Sequence, residues 1–204
     1  DLAFHLDGYD PGTHSTRLAF AMSSVPLDKT VFTNAAESVQ AGVRRDTLEW
    51  AGLYDDATGS GGTALGRFSS NLGSTSNSKA SIYIGTGTGS VGYIGTLGYQ
   101  EEREPANIGE LVRMEARFVC DGSFRKGAVQ IYKQAFTGSA TFGTINNAAA
   151  TTGGGVFGLQ VHASNGTGAL SLQDSADGTT WALLSSPGIS GAPKNNFQDI
   201  SGTI

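Results

Sequence analysis

Leu111-Val112-Arg113-Met114-Glu115-Ala116-Arg117-Phe118-Val119-Cys120, followed by Asp121-Gly122, sets the fold class. Val112, Met114, Ala116, Phe118 and Cys120 fall on one side of an extended chain, and Leu111, Arg113, Glu115, Arg117 and Val119 on the other. A period of two with one apolar side is the pattern of a half-buried strand, and Asp-Gly predicts a turn after it. Working toward the amino terminus, residues 16–23 repeat the pattern. Leu18, Phe20 and Met22 alternate there with Arg17, Ala19, Ala21 and Ser23. A shorter run spans Leu27 to Phe32. In residues 46–53, Leu48 and Trp50 face one way and Thr47 and Glu49 the other. Ala80–Gly85 and Val91–Tyr99 are two further strands joined by Thr-Gly-Thr-Gly-Ser, with Val91, Tyr93, Leu97 and Tyr99 sharing a face. The one expected helix is Thr63–Leu72, with Leu65, Phe68 and Leu72 on one side, Thr63 as cap and Gly73 as stop. The expected class is therefore all-β with one short helix.

Beyond residue 134 the composition changes. Asp174, Asp177, Lys194 and Asp199 are the only charged residues there. Short strands recur at Val156–His162, Leu170–Gln173 and Trp181–Leu184, separated by the hairpin dipeptides Asn165-Gly166 and Asp177-Gly178. This spacing suits a small β-sandwich with Trp181 in its core beside Phe157, Leu159 and Val161. Two parts are expected: residues 1–134, and residues 135–204 as a carboxyl-terminal β module. Asp199–Ile204 read as the start of a strand, so the second part is expected to be incomplete. The chain starts at Asp1 rather than Met, which points to processing or an incomplete start.

The 204 residues suffice to bury a core without cross-links. Charged residues make up 15%, against ~25% in ordinary globular domains, and 30 glycines favour turns over long helices. A net charge of −5 argues against DNA as a tightly held ligand, because phosphate neutralisation needs a basic face. Cys120 is the single cysteine, so no internal disulfide can form. No segment approaches the ~18 apolar residues of a membrane-spanning helix, and residues 1–25 lack a signal-peptide pattern.

Motifs of catalysis and ligand binding are weak or missing. Gly87-Thr88-Gly89-Ser90-Val91-Gly92 matches a dinucleotide loop in letters only, since a strand rather than a helix follows. His5, His14 and His162 are too scattered to form a zinc motif, and packed or solvated side chains are expected. Asp174 and Asp177 lack the run of oxygen ligands of a calcium loop. No G-x-S-x-G elbow occurs. The acids of Glu101-Glu102-Arg103-Glu104-Pro105 look like a solvated loop rather than a facing pair of carboxylates. The expectation is no enzyme, no cofactor and no metal.

An ordered set of motifs is similar to those of siphophage major tail tube proteins. Asp28-Lys29-Thr30-Val31-Phe32 resembles the stretch after that family's first strand. Gly42, the strand Asp46–Leu53 and Tyr54-Asp55-Asp56 resemble its next signature. Gly109-Glu110-Leu111-Val112 leading to Arg117-Phe118 and Asp121-Gly122 looks like its late strand. Val156–His162 with Gln173–Trp181 resembles a β module appended to such proteins. The resemblance implies a β-sandwich flanked by a helix and contributing strands to a hexameric lumenal β-barrel. It also implies rings stacked into a hollow tube in the virion, made in the host cytoplasm and conducting DNA into the host. Implied partners are further copies of the chain, a tape measure protein, and tail terminator and distal tail proteins. Double-stranded DNA would pass without specific binding. The expected lumen-facing set is Arg17, Ala19, Ala21, Ser23, Arg113, Glu115 and Arg117. The expected contact loop between subunits holds Glu101, Glu102, Arg103, Glu104 and Glu110. The alternative is a β-sandwich binding or adhesion module for carbohydrate or a host surface, with Trp50, Tyr93, Tyr99 and Trp181 as candidate exposed aromatics.

Overall fold

The computed structural model describes residues 2–28, 39–53, 77–103, 112–135, 137–146, 153–164, 166–191 and 194–201. Among them lie twelve strands and one short 3₁₀ turn, Pro11–Thr13. The strands are β1 (Leu2–Leu6), β2 (Ser15–Ala21), β3 (Ser24–Asp28), β4 (Val39–Arg44), β5 (Thr47–Leu53), β6 (Ser78–Ile84), β7 (Val91–Arg103), β8 (Arg113–Ala128), β9 (Gly155–Val161), β10 (Leu172–Asp174), β11 (Ala182–Ser185) and β12 (Lys194–Ile200). The protein is all-β, as the alternation predicts. The expected helix at 63–72 lies outside the described residues.

The main sheet has the order β1-β6-β7-β8-β5-β2, and β3/β4, β9/β12 and β10/β11 form three two-stranded ribbons. The chain divides into two compact units, one of residues 13–78 and 95–124, the other of residues 1–12, 79–94 and 125–204.

In the unit of 13–78 and 95–124, β5 is flanked by β2 and β8, both antiparallel to it. Leu18, Trp50 and Ala116 stand side by side in register, as do Phe20, Leu48 and Phe118. Met114, Ala116, Phe118 and Cys120 are buried along β8 while Arg113, Glu115 and Arg117 are exposed, which is the predicted alternation. Gly52 is required beside Trp50. A Cβ there would stand 2.4 Å from the indole and 2.5 Å from the His14 carbonyl oxygen. One expectation fails here. Asp121-Gly122 does not end the strand, since β8 runs on to Ala128. Gly122 takes a positive φ of 84°, and the buried Asp46 carboxylate accepts the Phe124 N–H at 2.8 Å just past it. The dipeptide therefore bends a continuous strand. Met22 also falls beyond the end of β2, and it is exposed.

In the other unit β1 pairs antiparallel with β6, from Leu2 opposite Ile84 to Leu6 opposite Ala80. Asp7 and Gly8 both take positive φ, 49° and 80°, and Leu6 and Tyr9 exchange two backbone hydrogen bonds across them. This is the tight turn that Asp-Gly favours. Gln160 of β9 stitches the turn to β6: its Oε1 accepts from Gly8 N at 2.5 Å, and its Nε2 donates to the Lys79 carbonyl at 3.1 Å. The Asp7 carboxylate accepts from Lys79 N and from the Asn195 amide of β12, both at 2.8 Å. Trp181, expected in a core, is instead 46% exposed and stands just before β11. Asp199 and Ile200 lie in a strand that begins earlier than expected, at Lys194, and pairs with β9.

Candidate functional site

Register places the sequence-derived residues of β2 and β8 on one face. Arg17, Ala19 and Ala21 stand opposite Ala51, Glu49 and Thr47 of β5, and Arg113, Glu115 and Arg117 stand opposite Leu53, Ala51 and Glu49. Alternation forces this, because the other face of all three strands is committed to the core around Trp50 and Phe118. Glu49 sits at the centre. The Arg17 guanidinium approaches its carboxylate at 3.3 Å and that of Arg117 at 3.9 Å. Each of these side chains is roughly half exposed or more, so the pairs order the face more than they stabilise the fold, at about 0.2–1 kcal/mol each.

Glu101, near the end of β7, lines the same shallow groove as Arg17, Glu49, Glu115 and Arg117. The groove encloses about 190 Å³, below the ~300 Å³ where small-molecule pockets begin. Arg17, Arg113 and Arg117 are thus matched in number by Glu49, Glu101 and Glu115. Ser23 is separate from the ladder. It is exposed, and its hydroxyl donates to the Arg45 carbonyl at 2.5 Å. Glu101, Glu102 and Arg103 belong to β7 rather than to the loop expected there, because the strand runs past Tyr99 to Arg103. Glu104 and Glu110 lie outside the described residues.

Next to this face the β3/β4 ribbon exposes apolar side chains. Every residue of β3 is exposed, and Val25, Leu27 and Val43 are 49%, 51% and 78% accessible. Three apolar side chains open to water on one ribbon mark a surface suited to association.

Of the aromatics considered for a binding face, Trp50 is core and not available. It is 1% exposed, and its Nε1–H donates to Ser15 Oγ at 2.6 Å. Tyr93 is half-buried. Among the described residues no group of three His, Cys, Asp or Glu side chains is placed to hold a metal. The Cys120 thiol is buried, and burial first, then the Asp46 carboxylate, pushes its pKa up to about 11. It is therefore a poor nucleophile.

Sequence reasoning missed one cluster. His5 of β1 is 2% exposed, and its ring packs against Tyr83, Tyr132 and His162 at centroid distances of 4.9, 5.5 and 4.3 Å. The alternation Leu2-Phe4-Leu6 ahead of Asp7-Gly8 was the available signal for β1. Nothing in the spacing linked residue 5 to residue 162.

No protein family and no curated protein matches the chain in sequence. In three dimensions the chain is similar to a chain in the virion of the native gene transfer agent (GTA) particle. The TM-score is 0.51 at 15% identity, with 63% of this chain and 96% of that chain covered. A chain of the SPP1 tail tube is also similar, with a TM-score of 0.49 at 9% identity, covering 63% of this chain and 77% of that one. At such identities the likeness is one of fold, and the first comparison carries it.

Proposed function

We propose that this chain is a major tail tube subunit of a phage-like particle. Copies would close into hexameric rings that stack into a hollow tube, with the face of Arg17, Ala19, Ala21, Arg113, Glu115 and Arg117 toward the lumen. The observation that carries this is the fold likeness to a GTA virion chain over nearly that chain's whole length. It agrees with the sequence resemblance to siphophage tail tubes. The charge balance of the face fits the role: three arginines offset by three glutamates give phosphate no net positive surface to grip, so DNA would slide. Ring closure would cover the apolar β3/β4 ribbon, and a heterologous contact that closes and then repeats axially builds a tube. The tape measure protein would fill the lumen before DNA, and terminator and distal tail proteins would cap the ends. Negative-stain images of the purified protein test the proposal: rings or striated tubes are expected, and monomers at all concentrations would overturn it. Monomers would favour the second reading, an adhesion module, for which the exposed Leu183 of β11 and Trp181 just before it are the supporting observation.

We further propose that the segment from Glu101 to Glu110 makes contacts between copies. Charged rims fix register more than they add affinity. Reversing Glu101, Glu102 and Glu104 to lysine is expected to reduce tube formation while leaving the circular dichroism and melting of the monomer unchanged. Normal tubes from the triple variant would remove this segment from the interface.

The division near residue 134 is likewise a proposal, in which residues 1–134 assemble and residues 135–204 form an outer module. Expressing residues 1–134 alone tests it. A soluble fragment that polymerises is the expected result. A fragment unfolded without Gln160 and Asn195, which bind the Gly8 turn and Asp7, would give up the boundary.

A further inference from the structure

His5 is enclosed on every side by groups that suit a neutral ring. Its own strand offers Phe4 and Leu6, both buried. From β6, Tyr83 packs tilted at 4.9 Å. From the segment after β8, Tyr132 stacks at 5.5 Å with the two planes 10° apart. From the end of β9, His162 meets it edge-on at 4.3 Å. Neither ring nitrogen of His5 has a hydrogen-bond partner among the described residues. The Asp10 carboxylate lies 3.9 Å from Nε2, beyond hydrogen-bond distance, and it is already engaged by the Lys133 ammonium and by the Gly12 N–H at 2.8 Å. The Lys133 ammonium also lies 5.5 Å from the Tyr132 ring centroid. Asp7 and Lys79, on the neighbouring turn and on β6, are occupied with each other's backbone or side chain and with Asn195.

We propose that the His5–His162 pair is an acid-sensitive lock. Residues 129–133 and the end of β9 are held against β1 while both imidazoles are neutral, and they loosen when one becomes charged.

A proton on His5 would place a cation in a buried site whose nearest carboxylate, Asp10, stands 3.9 Å from Nε2 and is already engaged by Lys133 and Gly12. It would also lie against His162 and near the Lys133 ammonium. The π faces of Tyr83 and Tyr132 offset part of that cost. Burial first, then the His162 charge, lowers the His5 pKa to about 3, with Asp10 acting in the opposite direction. Burial also lowers His162, against its backbone hydrogen bond to Gly8. An unfolded histidine titrates near 6.5. Between about 6.5 and about 3 the unfolded chain therefore binds more protons than the folded one, and stability falls as pH falls through that window. Asp10 acts in a separate range. Its hydrogen bonds with Lys133 and Gly12 outweigh burial and lower its pKa from 3.8, so its contribution is lost only below about that pH.

The test uses the full chain in two measurements. Histidine ring NMR between pH 8 and 4 is expected to show that His5 stays neutral in the folded chain, with folded signals yielding to exchange-broadened ones as pH falls. A His5 that titrates near 6.5 in a chain that stays folded overturns the lock without any variant. Amide exchange by mass spectrometry is expected to rise several-fold in residues 1–9, 129–133 and 155–162 between pH 7 and 5, after correction for the intrinsic pH dependence. A His5→Phe/His162→Phe double variant is expected to abolish that rise, and Asp10→Asn to retain it. A rise of wild-type size in the folded double variant, or protection unchanged in wild type, overturns the proposal.

Discussion

Replacing Trp50 by alanine is expected to lower the unfolding free energy by about 3–5 kcal/mol, the range for truncating a large aromatic in a core. The indole is 1% exposed and sits on the middle strand of β2-β5-β8, between Leu18 and Ala116 in register. Its loss removes apolar contacts on both sides, and it takes from Ser15 Oγ the donor now at 2.6 Å. Gly52 could not collapse into the gap, since it has no side chain to offer. The backbone there is also held from the other side, where Leu53 N donates to the His14 carbonyl at 2.8 Å. Urea unfolding followed by circular dichroism measures the cost. Fluorescence gives an independent check, because the chain has only two tryptophans. The blue-shifted component should vanish with Trp50, leaving the red-shifted emission of the exposed Trp181. Trp181→Ala should shift stability by no more than about 0.5 kcal/mol, the usual scale for surface sites. Equal costs for the two substitutions would mean that the core has been assigned to the wrong tryptophan.

That contrast shows what the sequence could reveal. Both tryptophans stand in alternating stretches, so periodicity alone treats them alike. Trp50 is buried because β5 has neighbours on both edges, and long-range pairing is invisible in a local pattern. Strands of six or more residues with one apolar side, β2, β5 and β8, were legible, and with them the charged face, since alternation puts Arg17, Arg113, Glu115 and Arg117 together once the register is known. Two central members of that face came from outside the expected lumen set. Glu49 joins because β5 lies between β2 and β8, an order not written in the chain, and Glu101 joins from β7. β1, β4 and the His5 cluster were missed for different reasons. β1 is only five residues long, so its alternation Leu2-Phe4-Leu6 is brief, and Phe4, His5 and Leu6 are all buried whatever their parity. β4 shows no clean alternation around Gly42, where a Cβ would meet the Val25 carbonyl at 2.4 Å. The His5 cluster joins residues 5, 83, 132 and 162, a contact of high sequence separation with no motif.

Asp46 makes the second large effect, and it explains how a charged residue comes to be fully buried in a chain with few charges. Its backbone lies between β4 and β5, where its carbonyl accepts the Cys120 N–H at 2.8 Å. Its Oδ2 accepts the Phe124 N–H and the Arg44 guanidinium, each at 2.8 Å. One side chain thus joins the end of the β3/β4 ribbon to the bend in β8. The bend frees the Phe124 N–H from the ladder, and a buried unpaired donor is costly, so the carboxylate is the partner that lets β8 curve at Gly122. Asp46→Ala is expected to cost about 1.5–3 kcal/mol, the scale of a hydrogen bond to a charged group. Arg44 adds little, because it is half exposed and can be solvated once released. Asp46→Asn should cost less, since its amide oxygen can still accept from Phe124. Exchange of the Phe124 and Cys120 amides should accelerate in the alanine variant ahead of global unfolding. The Cys120 thiol should also become more reactive, because the Asp46 charge is the second cause, after burial, of its raised pKa. If Asp46→Ala matches wild type in stability while Asp46→Asn does not, the carboxylate is not the acceptor that holds the bend. If the alanine variant is destabilised but the Phe124 amide stays protected, the bend has another support. In the proposed tube the consequence would extend beyond the monomer. The ribbon that exposes Val25, Leu27 and Val43 is anchored at its base by Arg44 and by the Arg45–Ser23 backbone hydrogen bond beside Asp46, so loosening this carboxylate should misplace the apolar surface that assembly would bury.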